Sequence, residues 1–258
     1  MATEPTAQQR NASLIKQFKA AYRQDDLVVL EGFHAVKHAL RFGARILAVI
    51  SDDPAQVERL GAALAPDTAG PILSQCVHVD PETFRLATRS PIGTRIVAVA
   101  SKSRYSEQDI ARRADRPVVG LEDPRNMGNV GAVIRLAAAC DIAGVIAIGE
   151  AIDPWHVTAV RGSAGLHYAL PVIQMKTLKR EDRPIVGIDP IGEQLWNTSI
   201  PANSVLVFGT ERYGLSDALL SICDTRVSIP MRPGVSSLNL ATAVAAVLYG
   251  GNLAESDR

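Results

Sequence analysis

The sequence predicts an α/β protein in which a smaller α/β domain precedes a larger one built on a mostly parallel sheet. Three observations predict it. Short apolar runs alternate with helix-length segments along most of the 258 residues. The runs of the second half, such as Val118–Leu121 and Val205–Phe208, are apolar throughout, as strands covered on both faces are. A polar, charged stretch, 102–116, divides two such series and reads as a linker with partial helical character.

The elements follow in order. Gln8 to Gln24 sets Leu14, Ile15 and Phe18 on one side, with Arg10, Lys16, Lys19 and Arg23 among them. That is an amphipathic helix whose basic residues are either a solvated face or an RNA contact. Strands are predicted at Leu27–Leu30, Ile46–Ile50, Val77–Val79 and Arg95–Ala100, and helices at Gly32–Arg41, Ala55–Leu64 and Pro81–Thr88. After the linker come a strand at Val118–Leu121, a helix from Gly128 to Ala139 and a strand at Val145–Ile148. Further strands are expected at Leu170–Ile173, Ile185–Ile188, Val205–Phe208 and Arg226–Ile229, and a last helix at Leu238–Tyr249. The domains so delimited are 1–101, the linker 102–116, and 117–258.

Composition narrows the function. Hydrophobic residues are 47% and charged residues 21%, which excludes disorder as the main state. The longest apolar stretch, Leu240 to Tyr249, is too short for a membrane span. Met1 to Arg10 is polar, so no secretory leader is expected. Lys plus Arg equals Asp plus Glu at 27 each, so no overall basic charge announces nucleic acid. Cys76, Cys140 and Cys223 form no paired spacing, which points to the cytoplasm and away from a zinc site or disulfide scaffold. His34 and His38 share a helix face, but the sequence between them lacks a metalloprotease glutamate, and no metal is expected. Trp155 and Trp196 read as packing residues.

Three loops carry the chemistry. The first, from Asp123 to Arg135, leaves a strand and opens a helix, where free N–H groups and Gly128 and Gly131 favour close approach of a ligand. It completes neither a dinucleotide fingerprint nor a P-loop. Arg135 is the only charged residue between Arg125 and Asp141. A guanidinium buried in an apolar helix would need partners, so Arg135 is one side of a structural salt bridge, a residue at the helix edge, or a site arginine facing a phosphate. The second loop, Val207 to Ser216, bends at Gly209 and Gly214 with Glu211 at its tip. The third, Ile229 to Leu240, is broken by Pro230, Pro233 and Gly234 and sets Ser237 and Asn239 where the last helix begins, which suits an N-cap. The helix beyond is apolar on every side, so it is expected to be buried, in a core or against another subunit.

Taken together, the three loops resemble one family. Asn129 with Arg135, then Gly209-x-Glu211-x-x-Gly214, then Ile229-Pro-Met with Ser237-Leu-Asn239, are similar in order and spacing to the three motifs of the SpoU (TrmH-type) RNA ribose 2′-O-methyltransferases of the SPOUT superfamily. The resemblance covers about 117–252. The stretch Glu31 to Leu40 resembles the opening helix of the L30e-like RNA-binding domain that often precedes the catalytic one. The resemblance implies a C-terminal part tied in a deep trefoil knot, and S-adenosylmethionine as methyl donor, lined by Gly209, Ile229, Met231 and Leu238. It implies a catalytic set of Asn129, Arg135, Glu211, Ser237 and Asn239. It also implies a homodimer acting on RNA, with rRNA favoured over tRNA by the leading domain. Arg161-Gly-Ser-Ala-Gly165 resembles a further family stretch, and its arginine is either an RNA contact or part of an ordinary surface loop. Two rivals remain: a non-catalytic RNA-binding assembly factor on the same fold, and a nucleotide-dependent oxidoreductase or phosphate-binding enzyme built on the first glycine loop.

Overall fold

The computed structural model describes residues 6–150, 152–180, 182–210 and 212–253. The chain forms two compact units. One runs to Ser103 and takes in Trp155–Tyr168; the other holds Arg104–Pro154 and the chain from Ala169 onward.

The first unit begins with α1 (Ala7–Ala21), opened by a capping box. The Thr6 hydroxyl accepts the Gln9 N–H at 3.2 Å, and the Gln9 side-chain carbonyl accepts the Thr6 N–H at 2.9 Å. Phe18 and Ala21 turn inward, while Arg10, Lys16, Lys19 and Arg23 stay exposed. There follow β1 (Leu27–Glu31), α2 (Phe33–Arg41), β2 (Ile46–Ser51), α3 (Pro54–Leu64), α4 (Pro66–Gln75), β3 (Cys76–His78), α5 (Pro81–Ala87) and β4 (Ile96–Ser101). The strands lie in the order β1-β4-β2-β3, antiparallel except for the β2–β3 pair. The sequence gives no warning of α4, because Pro71 inside it and Gly70 beside it read as breakers.

The second unit starts at α6 (Glu107–Ala111), whose Ile110 is buried, and continues through β5 (Val118–Glu122), α7 (Met127–Ala139) and β6 (Gly144–Ile148). Within the polar stretch before β5, Ile110 and the partly buried Tyr105 pack on the apolar cluster of this unit. Asp141 beyond α7 pairs with both Arg113 and Arg116. Arg183 donates to the carbonyls of Ile110, Arg113, Arg116 and Asn203, so one half-buried guanidinium holds four backbone acceptors.

The chain then gives α8 (Val157–Gly162) and a short 3-10 turn, Leu166–Tyr168, to the first unit. There α8 lies on β1 and the turn on α2. Tyr168 donates its hydroxyl to the Ser101 carbonyl at 2.8 Å, and the His38 Nδ1–H donates to the Ala164 carbonyl at 2.8 Å. Gly165 has φ +77°, and a Cβ there would overlap the Ala35 backbone, so only glycine seats this turn. Beside it, the buried Glu31 carboxylate accepts the Tyr22 hydroxyl at 2.8 Å and Arg161 Nη1 at 3.4 Å. Burial first, and then the Glu31 charge and hydrogen bond, push the Tyr22 phenol far above its ordinary range.

Back in the second unit come β7 (Val172–Met175), β8 (Ile185–Gln194), β9 (Ser199–Ile200), β10 (Val205–Phe208), α9 (Asp217–Ile222), β11 (Thr225–Ser228), α10 (Leu240–Gly250) and β12 (Asn252–Leu253). Six strands form a wholly parallel sheet in the order β11-β8-β10-β5-β6-β7. Every residue of β6 and of β10 is buried, and each such Val, Ile, Leu or Phe contributes roughly 1.5–3 kcal/mol. The predicted α/β class and parallel sheet are what the chain adopts.

α7 turns Val130, Val133, Ile134 and Ala137 to the core and leaves Arg135 exposed on the opposite side, at the helix edge. One expectation is corrected. Trp155 packs at 7% exposure, but Trp196 is 57% exposed. The last helix buries one side only, through Leu240, Val244, Val247 and Leu248, and leaves Tyr249 at 67% exposure.

Candidate active site

The carboxyl end of β10 opens onto an irregular loop beside Ile188, Asp189 and Pro190, where β8 runs on past its pairing with β10; parallel α/β sheets place their ligand crevices at such strand ends. The loop after β10 folds back on itself: Thr210 and Gly214 exchange backbone hydrogen bonds at 2.9 and 3.0 Å, and the Thr210 hydroxyl accepts the Tyr213 N–H at 3.0 Å. This bend brings Gly214 and Leu215 against Gly209, where a Cβ would overlap their backbone atoms. Its far end is held by Glu122 of β5, which accepts the Ser216 N–H at 2.8 Å, and by Ser216 itself, which caps α9.

Against this bend lies the segment between β11 and α10. Together they enclose a pocket of about 350 Å³, within the range of small-molecule sites. Gly209, Ile229, Met231 and Leu238, the residues that the motif pattern assigns to the donor, all line it. So does Ser237 of the catalytic set. Ile188, Phe208 and Leu240 add apolar wall, and Asp189, Thr210, Arg212 and Ser236 add polar groups. Sequence reasoning did not single out Asp189. Its signal was its place directly after the predicted strand Ile185–Ile188.

The first and third motifs meet beside α7 and α10. Asn126 caps α7 by accepting the N–H groups of Gly128 and Asn129, and Asn239 caps α10 by accepting those of Ala241 and Thr242. The Asn239 side-chain amide also donates to Asn129 Oδ1 at 3.2 Å, across 110 residues of sequence. The helix cap that a serine at 237 would suit is instead supplied by Asn239, two residues closer to the helix, and Ser237 is left lining the pocket. Arg135 is not among the pocket-lining residues, and no ion pair engages it among the described residues. Glu211 lies outside the described residues.

The remaining candidates settle elsewhere. His38 is committed to the Ala164 carbonyl, and among the described residues no group of three or more His, Cys, Asp or Glu side chains is placed to hold a metal ion. Cys223 donates to the Leu219 carbonyl, and burial pushes its thiol up. Arg161 engages Glu31 and Ser90 of the first unit. No described helix is long and apolar enough to cross a membrane.

A family model described as the SpoU rRNA Methylase family matches residues 116–249. This chain belongs to the SpoU family. Its relatives include a 23S rRNA (uridine(2479)-2′-O)-methyltransferase of Streptomyces viridochromogenes, 32% identical over 64% of this chain and 62% of that protein. An uncharacterised tRNA/rRNA methyltransferase of Mycobacterium tuberculosis is 32% identical over 86% of this chain and 80% of its own length. The chain spans under two thirds of the Streptomyces relative and about half, 49%, of a Synechocystis relative. Among solved structures, the SpoU methyltransferase AviRb of Streptomyces viridochromogenes, in complex with AdoMet, superposes with TM-score 0.74 at 24% identity over 91% of this chain and 95% of that one. An AdoMet-bound rRNA methyltransferase of Sinorhizobium meliloti superposes with TM-score 0.68 at 22% identity over 96% and 95%. These two share the fold of this SpoU chain.

Proposed function

We propose that this SpoU protein is an S-adenosylmethionine-dependent RNA methyltransferase that modifies a ribose 2′-hydroxyl, with rRNA as its substrate. The observation that carries the reading is the single pocket in which motifs two and three converge: Gly209, Ile229, Met231, Leu238 and Ser237 line one cavity. It is supported by the direct Asn239–Asn129 bond that ties motif one to motif three. The names of the relatives favour rRNA.

When bound, S-adenosylmethionine supplies a methyl carbon activated by its sulfonium. The chain's own residues do the rest. The apolar walls formed by Ile188, Phe208, Ile229 and Leu240 suit an adenine ring, and the exposed backbone of the two loops suits its hydrogen-bonding edge. Ser237 orients the ribose hydroxyl, and the Asn129–Asn239 pair fixes the start of both helices around it. Glu211 belongs to the same set as an organiser of its loop. Arg135, exposed and without an ion-pair partner among the described residues, serves to hold the RNA phosphate next to the reacting ribose and to stabilise the developing alkoxide. A guanidinium does not give up its proton in proteins, so Arg135 suits a phosphate-assisted proton transfer better than the role of base.

The same proposal assigns the first unit to RNA as an L30e-like domain, supported by the exposed basic residues Arg10, Lys16, Lys19 and Arg23. It includes the deep trefoil threading of the family's C-terminal loops, supported by β11 returning beside β8 and not beside β10. A homodimer is part of it, supported by the exposed Trp196 and Tyr249 near the end of α10; light scattering that gives the mass of one chain at micromolar concentration would remove that part. The unpaired Cys76, Cys140 and Cys223 suit the reducing cytoplasm.

The decisive experiment is transfer of labelled methyl groups from S-adenosylmethionine to total RNA, followed by alkaline digestion. A methylated 2′-oxygen blocks hydrolysis at its linkage, so the label is expected in alkali-resistant dinucleotides from rRNA. Label in mononucleotides means base methylation and overturns the assignment. Label confined to tRNA overturns the substrate.

A further inference from the structure

The pocket contains two charged side chains of opposite sign, and neither neutralises the other. Among its described lining residues, Asp189 and Arg212 are the only side chains that carry a formal charge at neutral pH, and no ion pair joins them. Asp189 stands where β8 leaves the register it shares with β10, one residue past the pair Phe208↔Ile188. Its Oδ1 accepts the Ile191 N–H at 2.8 Å, which fixes the carboxylate plane, and its second oxygen has no partner among the described residues. It is half-buried, so water only partly compensates it. Arg212 stands in the bend after β10, its guanidinium 5.3 Å from the centre of the Tyr213 ring. That contact orients the side chain, and among the described residues its donors have no other partner.

A carboxylate and a guanidinium at one small cavity, each held by a neighbour and neither in an ion pair among the described residues, match a ligand that carries both charges on one carbon. The methionine end of the donor, on which this inference rests, has that form: an α-ammonium and an α-carboxylate. Its sulfonium adds a second positive charge, which a nearby carboxylate also favours. We infer that Asp189 receives the α-ammonium and Arg212 the α-carboxylate of the donor, so that these two residues select the amino-acid end of the molecule while the apolar walls hold its adenosine. The competing occupant of Asp189 is the ribose diol of the adenosine, which also bonds well to a carboxylate. Arg212 decides between them, because the adenosine half carries no anion for it to meet.

The test uses two probes that share the adenosine and the thioether sulfur. S-Adenosylhomocysteine carries the amino-acid end; 5′-methylthioadenosine does not. The unaltered full chain, Asp189→Asn and Arg212→Gln are titrated calorimetrically with each. Each substitution is expected to weaken S-adenosylhomocysteine roughly tenfold, the value of one charge-assisted hydrogen bond. It is expected to leave 5′-methylthioadenosine within about twofold, and that retained binding also shows the pocket to be folded. Asp189→Glu, which keeps the charge, is expected to recover most of the lost affinity. Equal losses for both probes place Asp189 on the adenosine and overturn the assignment, as does an unchanged affinity for S-adenosylhomocysteine. If the unaltered chain binds neither probe, the donor itself is wrong and the assignment falls with it.

Discussion

Two regions, the surroundings of Trp155–Tyr168 in the first unit and the pocket end of the parallel sheet in the second, treat their polar groups in opposite ways. In the first, Glu31, Tyr22, His38 and Arg161 close on one another or on backbone carbonyls, and the partners come from as far apart as residues 31 and 161. In the second, the parallel sheet is apolar along its central strands, and the polar groups stand at the strand ends as caps and loops. Asn126 and Asn239 hold helix starts, while Ser237, Asp189 and Arg135 retain hydrogen-bonding capacity. A network whose members satisfy each other rigidifies, whereas groups left open at a scaffold's edge remain available for a ligand.

The largest effect should come from breaking the open side. Arg135→Ala is expected to lower methyl transfer by at least tenfold, and by about a hundredfold if it stabilises the alkoxide directly. Its melting temperature and S-adenosylhomocysteine affinity should stay unchanged, since the side chain is exposed and unpaired among the described residues. A fall in melting temperature that accounts for the lost turnover would return Arg135 to a structural role.

Breaking the closed side should reverse the pattern. Gly165→Val puts a branched side chain at φ +77° and into the Ala35 backbone. It should cost on the order of 3 kcal/mol of stability, read as a lowered denaturant midpoint. Affinity for S-adenosylhomocysteine at low temperature should not move. Loss of that affinity in a chain that is still folded would show that the closed network supports the pocket as well.

The smallest effect is a dependence on acidity. Burial, above all, holds the His38 imidazole below its ordinary 6.5, and the neutral ring donates its Nδ1–H to Ala164. The unfolded chain takes up that proton first, so stability is complete above pH 6.5 and falls as pH drops below it through the native value. Thermal melts between pH 7.5 and 5 should show a slope that His38→Gln reduces. An equal slope in the variant would assign it to other groups.

How much of this was legible varied with the physics of each segment. The strands of both sheets were readable because their apolar runs are short and bounded by turn residues; β10 falls on Val205–Phe208 as the pattern required. The pocket residues were readable only as motifs, because nothing in the spacing of Gly209 and Ile229 says that their loops meet. The side of the helix on which Arg135 stands stayed open, because a run of apolar neighbours conceals which face they share. Val130, Val133, Ile134 and Ala137 follow the helical repeat, and position 135 falls outside it. Trp196 was misread because residue type alone does not reveal exposure. The course of Trp155–Tyr168 was not readable at all. Its bonds to Ser101 and His38 join residues 67 and 126 positions apart, and they depend on tertiary packing that no local pattern records.

That segment has a consequence for how pieces of this family are exchanged. Trp155–Tyr168 lies inside the 116–249 stretch by which the family is identified, yet its carbonyls, its tyrosine and its glycine turn complete the other unit. A chimera that grafts residues up to Ser103 from one member onto the remainder of another would mismatch this lining. It would set a foreign turn against Ala35 and a foreign acceptor against His38. The transplantable module is discontinuous, and its two pieces must travel together.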